Sequence, residues 1–327
     1  MQTSQIYVGV DVSKLSFDVA IPSTKGFVHH QFSNDEKGFK AFVKSLNEFE
    51  NYHIVMEATG PYYLRLACYF HQLGIAVSVI NPLVIRRFCQ MRMSRAKTDK
   101  KDAAMISEYG KTEQPGLWNP EPAYVLEIRQ MQAAVDLLDQ SRTDILRQIE
   151  AFSQNPVPCK ELMRSHRATL RHLEKQIEIL HKKMEELIEQ HDGAMYQNIQ
   201  SIPGIGKKTA LMLIVISAGF KKFSNAKQLC SYIGLSPRIF ESGTSVKGKA
   251  RITKMGMSQV RSMLYVCAWS AKRYNETCKS MYERLVNAGK PKKVALIAVA
   301  NKLLKQCFAI GTKNETFINC YSKNICF

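Results

Sequence analysis

The segment QIYVGVDVSKLSFDVAI, residues 5–21, decides the fold of the first part of this chain. Two short runs rich in β-branched and aromatic residues, 5–10 and 16–21, flank a turn, and a third such run, GFVHHQF, occupies 26–32. Three consecutive runs of this kind predict three neighbouring β-strands at the start of a sheet.

Alternating helices and strands are predicted after these three strands. Asn34 and Asp35 offer N-caps for a helix that ends near residue 48. The pattern then predicts a strand at 53–56, a helix at 61–73, a strand at 75–80 and a basic helical stretch that follows it. This order is typical of a mixed α/β sheet domain.

The length of the chain suggests two domains, and its charge distinguishes a neutral part from a basic part. Its 327 residues suggest about two domains at roughly 150 residues each. The net charge is +18, from 46 basic and 28 acidic residues, yet residues 201–327 hold 22 of the basic and only 4 of the acidic ones. A neutral part joined to a cationic part indicates a polyanionic partner. Nucleic acid is the first candidate and a membrane surface is the competitor.

Several features favour a soluble cytoplasmic protein that makes no membrane contact. The N-terminus reads as a strand and not as a signal peptide. The longest apolar runs, 210–219 and 294–300, are shorter than the ~20 residues of a spanning helix. The nine cysteines are scattered without a Cys-x-x-Cys pair, which favours reduced thiols over disulfides or zinc.

Long helices are predicted from about 122 to 192. Apolar residues step by three and four on both sides of NPVP at 155–158, which interrupts any helix. We interpret this as an arm of two coiled-coil helices whose balanced charges suit a protein partner. Two core-packing helices inside one domain are nearly as consistent with the pattern.

Four carboxylates in the first domain form a candidate metal site. Asp11 follows the first strand, Glu57 closes the fourth, and Asp99 and Asp102 share one face of a helix. Such a set predicts an oxygen cage for Mg²⁺. The structural alternative for each is a turn residue after a strand, or a capping residue at a helix start near Thr98. Asp18 also lies on a strand, but nothing in the sequence pairs it with the others.

The C-terminal section opens with SIPGIGKKTA at 201–210, which is similar to a helix-hairpin-helix element. Backbone N–H groups at such a glycine-rich turn can hold a phosphate, and two lysines add charge there. The alternative is a glycine-rich turn without a ligand. The candidate residues are Gly204, Gly206, Lys207 and Lys208.

A basic, hydroxyl-rich loop follows at ESGTSVKGKAR. Its glycines allow the backbone to approach a bulky ligand, and its cations would neutralise phosphate. Chemistry alone leaves three candidate nucleophiles open, namely Ser242, Thr244 and Ser245. The cations of the loop and its C-terminal flank are Lys247, Lys249, Arg251 and Lys254.

These motifs together resemble a known family. GVDVSK, MEATG and KTDKKDA resemble the four-acid (DEDD) RuvC-like domain of transposases and site-specific recombinases of the Piv/MooV invertase type. GLSPRIFESGTSVKG resembles the C-terminal transposase domain of the same family. The likeness extends over nearly the whole chain. It implies a ribonuclease H-like α/β domain at 1–118, a coiled-coil helical arm at 119–195 and a mostly α C-terminal domain with a helix-hairpin-helix at 196–327.

The resemblance also implies an activity. A transposase or recombinase of this type cuts and rejoins DNA, with Ser242 as nucleophile and a phosphoserine intermediate. Mg²⁺, or alternatively Mn²⁺, would be held by the four acids. The family implies a dimer or a dimer of dimers, and relatives in bacterial insertion sequences use a structured guide RNA. Basic candidates for nucleic-acid binding in the first domain are Arg86, Arg87, Arg92 and Arg95. A cytoplasmic, nucleoid-associated location follows from such partners.

Two rival functions stay open at this point. A junction-resolving nuclease would use water as nucleophile with the same four acids, and would be indifferent to Ser242. A non-catalytic nucleic-acid scaffold would use only the turn and the basic tail, and would show no Mg²⁺-dependent cutting. The hydroxyl loop favours the recombinase, because a resolvase has no need of that domain.

Overall fold

The computed structural model describes residues 5–46, 51–93, 98–238, 241–242, 246–247, 251–252 and 255–319. Within this part, the backbone is given for the whole of each range, but the side chains of Asp99, Arg238, Glu241, Ser242, Val246, Lys247 and Arg251 lie outside the description. The chain divides into two compact units, 1–120 and 121–327.

The first unit is a mixed α/β domain. Its elements are β1 (Ile6–Val12), β2 (Ser16–Ser23), β3 (Gly26–Ser33), α1 (Glu36–Ser45), β4 (Tyr52–Glu57), α2 (Tyr63–Gln72), β5 (Ala76–Ile80), α3 (Pro82–Met91) and α4 (Asp99–Glu113). All five expected strands are present. Asp35 caps α1 by accepting a hydrogen bond from the Gly38 N–H, as expected, although α1 ends at Ser45 and not near residue 48.

The sheet has the strand order β3-β2-β1-β4-β5. The first three strands are antiparallel, whereas β1, β4 and β5 are parallel, so the carboxyl ends of β1 and β4 lie at the same edge. This mixed order is compatible with a ribonuclease H-like domain. The two parallel neighbours at the centre therefore place the ends of the two strands that carry Asp11 and Glu57 side by side.

Helices cover both faces of this sheet. Val8 and Val10 point to one face, where they pack with Phe42 and Phe70 in a core formed with α1 and α2. The alternate residues of β1 point to the other face, which α4 covers. The side chain of Ser107 on α4 donates a 2.6 Å hydrogen bond to the Tyr7 carbonyl oxygen.

Two glycines allow α4 to lie directly on the strands. A Cβ at Gly9 would come within 2.0 Å of the Ala103 carbonyl oxygen and 2.4 Å of the Ser107 nitrogen. A Cβ at Gly110 would come within 2.7 Å of the Val55 side chain. Because the contacts at Gly9 are with backbone atoms, no side chain can be accommodated there without moving the helix.

The second unit is mainly helical. Its helices are α5 (Ala123–Ser153), α6 (Lys160–Gln200), α7 (Lys207–Ser217), α8 (Ala226–Ile233), α9 (Ser258–Tyr274), α10 (Glu276–Asn287) and α11 (Lys292–Lys313). Two-residue strands pair as β6 (Pro237–Arg238) with β9 (Arg251–Ile252), and as β7 (Glu241–Ser242) with β8 (Val246–Lys247). The helix α10 was not expected from the sequence.

The two longest helices run antiparallel to each other. Tyr124 near the start of α5 stacks on His191 near the end of α6, and Phe152 stacks on His166 at the opposite end. The break expected at 155–158 separates them. Residues of both helices at the Tyr124 end share the core of α7–α11, whereas apolar residues at the Phe152 end, such as Ile149 and Leu170, are half-buried. The Tyr124 end of the pair therefore packs into the core of the second unit, and the coiled-coil arm stays a prediction.

One helix of the described part, α11, is long and apolar enough to cross a membrane by length and composition, although no single apolar run in the sequence has that length. Eight of its 22 residues are buried in the core of the second unit, among them Leu296, Leu303 and Leu304. A core helix passes the same test, so α11 is weak support for a membrane span.

Candidate active site

Three carboxylates form a row across the first unit's sheet. Asp11 on β1 is the register partner of Asp18 on the antiparallel strand β2. On the other side, Val10 pairs with Met56 of the parallel strand β4, so Asp11 and Glu57 are adjacent one step further along. Neighbouring strands lie about 4.8 Å apart. The side chains of all three residues are therefore on the face that α4 covers, and each is half-buried.

The helix α4 brings a fourth carboxylate to this edge. Asp102 lies in the first turn of α4, directly before Ala103, whose carbonyl oxygen contacts Gly9 two residues before Asp11. Thr98 caps the helix through its hydroxyl, which accepts a hydrogen bond from the Lys101 N–H. The capping role expected as an alternative belongs to Thr98, and the positive end of the helix dipole stabilises a carboxylate at Asp102.

The carboxylates of this sheet edge affect the pKa of a neighbouring thiol, that of Cys89 on α3. Burial raises its pKa, and the carboxylates of Asp102 and Glu57 raise it further. The pKa of this one thiol is raised by both carboxylates, although Glu57 lies on β4 and Asp102 on α4. Asp102 and Glu57 therefore belong to the same electrostatic environment.

The residue that sequence reasoning missed at this edge is Asp18. We expected nothing to pair it with the other acids, and the register shows that this was wrong. Its carboxylate accepts a 3.1 Å hydrogen bond from the Gln31 side chain on β3. The signal was the short link between β1 and β2: in an antiparallel hairpin closed at Ser13 and Ser16, residues 11 and 18 must face each other.

The acids have the chemistry that a divalent cation requires of its ligands. Half-buried carboxylates on two strand ends and a helix start are the oxygen donors that Mg²⁺ and Mn²⁺ prefer. Among the side chains that the structure describes, no three His, Cys, Asp or Glu residues are close enough to hold one ion. The fourth expected ligand, Asp99, has its side chain outside the described part.

The basic candidates of the first unit lie on α3, the helix that carries Cys89, and directly after it. Arg86 and Arg87 are exposed on the helix, and Arg87 donates a 2.9 Å hydrogen bond to Gln90. Arg92 follows the helix and lies over the Phe88 ring at 5.3 Å. Arg95 lies outside the described residues. The described three leave cationic groups accessible on the surface of the first unit.

The turn between α6 and α7 in the second unit gives its two glycines different roles. Gly204 has a φ of +104°, and a Cβ there would come within 2.8 Å of Ala271 on α9, so this glycine allows close packing. Gly206 begins α7 in open space. Lys207 donates a 2.9 Å hydrogen bond to Glu185, which raises the pKa of its ammonium group. Lys208 is exposed.

The hydroxyl-rich loop is described only in part. The backbone of Ser242 pairs with that of Val246 in a short hairpin, and Glu241 pairs with Lys247. The side chain of Ser242 lies outside the description. So do those of the basic candidates Lys247, Lys249, Arg251 and Lys254, as well as Thr244 and Ser245.

Comparisons with known proteins agree with this combination of fold and residues. A family model described as a transposase, of the DEDD type, matches residues 8–154, and a second, described as the Transposase IS116/IS110/IS902 family, matches 196–283. The pilin gene-inverting protein of Moraxella lacunata is 30% identical over 332 residues, covering 96% of this chain and 98% of that protein.

Two further relatives agree. The pilin gene-inverting protein of Moraxella bovis is 29% identical, with the same coverage of 96% and 98%. A transposase for insertion sequence element IS1111A from Coxiella burnetii is 32% identical over 124 residues, covering 37% of this chain and 34% of that protein.

A sheet edge rich in carboxylates and these matches define a DNA transposase or site-specific recombinase, an enzyme whose partner is DNA. The chain belongs to the IS110 family of transposases, in which the Piv-type recombinases are also placed. Membership of a DEDD family indicates dependence on a divalent metal.

Proposed function

We propose that this enzyme cuts and rejoins DNA at the ends of an insertion sequence and at its target through a phosphoserine intermediate. The observation that carries the proposal is the row of carboxylates at one edge of the sheet, with Asp102 added by α4. The first unit would then be a ribonuclease H-like catalytic domain. The boundaries 1–118, 119–195 and 196–327 belong to the same proposal.

The four acids would hold Mg²⁺, or Mn²⁺ in its place. Asp11 and Glu57 would bind from the strand ends, and Asp99 and Asp102 from the first turn of α4. A bound divalent ion supplies charge stabilisation for the phosphate oxygens and lowers the pKa of an attacking or leaving oxygen. The rigid sheet keeps the strand-borne carboxylates in place, and the glycine contact at Gly9 fixes the distance of the helix-borne ones.

Ser242 would supply the nucleophile. In this step, its Oγ forms a bond to phosphorus while the bond from phosphorus to one deoxyribose oxygen breaks, and the serine proton ends on the released hydroxyl. The phosphodiester energy is kept in the phosphoserine bond. Attack by a hydroxyl of a second DNA end then reverses the step and rejoins the strands without ATP.

The partners proposed for this reaction are nucleic acids and further copies of the chain. Recombination needs several cuts, so a dimer or a dimer of dimers would assemble, with α5 and α6 as the contact. A structured guide RNA from the element's flank would pair with the DNA. The exposed basic candidates for phosphate contacts among the described residues are Arg86, Arg87, Arg92, Lys207 and Lys208. The site of action would be the nucleoid in the cytoplasm.

The test is an adduct assay with the full chain, DNA carrying the element ends, RNA transcribed from the flanks, and Mg²⁺. Wild type should give a protein–DNA adduct that survives denaturant, and Ser242→Ala should give none. An adduct that persists in Ser242→Ala would refute the serine mechanism. Cutting without an adduct would identify the water-using nuclease instead, and an absence of metal-dependent cutting would identify a scaffold.

A further inference from the structure

A cationic stripe occupies one face of α6 at the end remote from the second unit's core. Four basic residues recur at intervals of four, three and four, which places them on one side of a helix. They cover about 16 Å of helix length at 1.5 Å per residue. The residues of this arm-tip stripe, all exposed, are Lys160, Arg164, Arg167 and Arg171.

None of the ion pairs between described residues includes a member of the stripe. Other arginines of the same helix pair behave differently: Arg142 lies 3.0 Å from Asp139, and Arg147 lies 3.1 Å from Asp144. Like charges at positions i and i+4 destabilise a helix. No described ion pair offsets this repulsion between members of the stripe, as is expected of a surface that binds an external anion.

Packing fixes the direction in which the stripe points. His166, on the opposite side of α6, stacks on Phe152 of α5 at 6.3 Å, and Leu173 is buried. The stripe consequently lies on the side of α6 away from His166 and Leu173. Together with Ser153, the last residue of α5, and Pro158 of the link between the helices, it lines a concave surface of about 490 Å³. Towards the core the same face becomes mixed, because Glu174 and Glu178 follow Arg171 at helical spacing.

We propose that the arm-tip stripe binds the phosphodiester backbone of the nucleic acid on which the recombinase acts. This inference rests on the proposed function for the presence of that nucleic acid. Three of the four residues are arginines, whose planar guanidinium groups bind phosphate oxygens in pairs. About five nucleotide steps of one strand, at 3.4 Å each, match the length of the stripe.

An acidic protein surface is the competing partner, and the composition of the stripe speaks against it. Protein interfaces are built around buried aromatic or aliphatic anchors. Met163 is the one large apolar residue that lines the concave surface, and it is already half-buried. The balanced charge expected of the helix pair holds for its whole length but not for the tip, so the partner inferred there changes from protein to nucleic acid.

The test compares two double variants of the full chain that lose the same charge. Arg164→Gln/Arg167→Gln removes half of the stripe, whereas Arg142→Gln/Arg147→Gln removes arginines that already have carboxylate partners. Binding to a DNA duplex and to an RNA duplex is measured between roughly 50 and 200 mM salt. Circular dichroism checks that both variants keep their helix content.

The stripe variant should lower the slope of log affinity against log salt by about 0.9 for each lost phosphate contact, and so by nearly 2. The control pair should leave the slope unchanged. A drop on DNA alone or on RNA alone would support the proposal and identify the source of the phosphates. Equal slopes for wild type, stripe variant and control on both ligands would overturn it, and binding of an acidic protein lost only in the stripe variant would replace it.

The outcome is separable from the proposed function. The salt slope is measured from binding alone, without Mg²⁺-dependent cutting, so it does not depend on whether Ser242 forms an adduct. A wild-type protein that binds DNA with the expected salt slope but forms no adduct would refute the serine mechanism and leave the stripe intact.

Discussion

The acidic sheet edge and the hydroxyl loop differ in how their residues are positioned. The acids lie on adjacent strands and on a helix that presses on Gly9 without an intervening side chain. Ser242 instead belongs to a two-residue strand in a short hairpin. Groups that share one metal ion need fixed distances, which regular elements provide. The nucleophile that we propose at Ser242 would have to reach a phosphate and later release it, which suits a short hairpin.

From this contrast we predict the largest effect on DNA cutting when a carboxylate of the acidic sheet edge is neutralised. Asp102→Asn should lower metal-dependent DNA cutting by more than about 100-fold, because even residues that only support metal ligands are worth 10–100-fold. Glu113→Gln, at the opposite end of the same helix, is the matched control and should cut at the wild-type rate. Rates of strand cleavage at fixed Mg²⁺ measure both. An equal loss of cutting in the two variants would show that the acidic sheet edge is no more important for cutting than the far end of α4.

The rigidity of the acidic edge can be tested separately from its charge. Gly9→Ala places a methyl group against backbone atoms of Ala103 and Ser107, and should destabilise the first unit by about 3 kcal/mol, at the upper end of overpacking effects. Gly116→Ala, where a Cβ would meet nothing within 4 Å, should change stability little. Denaturant unfolding followed by circular dichroism compares them. A neutral Gly9→Ala would show that the edge tolerates movement of α4.

The acid opposite Asp11 should have a smaller effect on stability. Like charges directly opposite in a sheet are destabilising, so Asp18→Asn should stabilise the metal-free protein by about 0.5 kcal/mol. The asparagine side chain keeps an oxygen that accepts from Gln31. Thermal unfolding in the presence of a chelator measures the change, and Glu113→Gln again serves as the control for a lost negative charge. A lower unfolding temperature would show that Asp18 has a compensating partner.

The smallest predicted effect concerns the pH dependence of stability and a buried histidine on β4. His53 on β4 is buried, with its Nε2 2.7 Å from the Ser78 hydroxyl, and burial lowers its pKa below the ordinary 6.5. The unfolded chain therefore binds a proton that the folded chain resists, and stability must fall as the pH drops below about 6.5. His53→Gln should weaken this dependence between pH 7 and 5, and the exposed His172→Gln should not. An identical pH profile in His53→Gln would contradict the assignment.

Local patterns predicted the elements well because periodicity and capping act within a few residues. The five strands, the Asp35 cap, the break near 155–158 and the turn at Gly204 all follow from neighbouring side chains. Register and packing follow from residues far apart in the sequence. The pairing of Asp11 with Asp18 depends on how a turn closes, and the close approach at Gly9 depends on α4, some ninety residues later.

The partners of individual charged residues were the property that the sequence predicted least well. Net balance over the helix pair predicted a protein partner, yet two arginines of α5 have carboxylate partners within their own helix, whereas the described ion pairs include no member of the arm-tip stripe of α6. Which cations are neutralised depends on side-chain distances, and these became visible only in the folded helix pair. The carboxylates of the sheet edge could be nominated from sequence because three of them end strands or begin a helix.

The measurement that tests the central claim most directly is the position of the covalent bond. The denatured adduct is digested with nuclease and with trypsin, and mass spectrometry locates the remaining nucleotide within the peptide IFESGTSVK, which contains all three candidate hydroxyls. A nucleotide on Ser242 is the predicted result. A nucleotide on Thr244 or Ser245, or an unmodified peptide from a reaction that has cut its DNA, would contradict it.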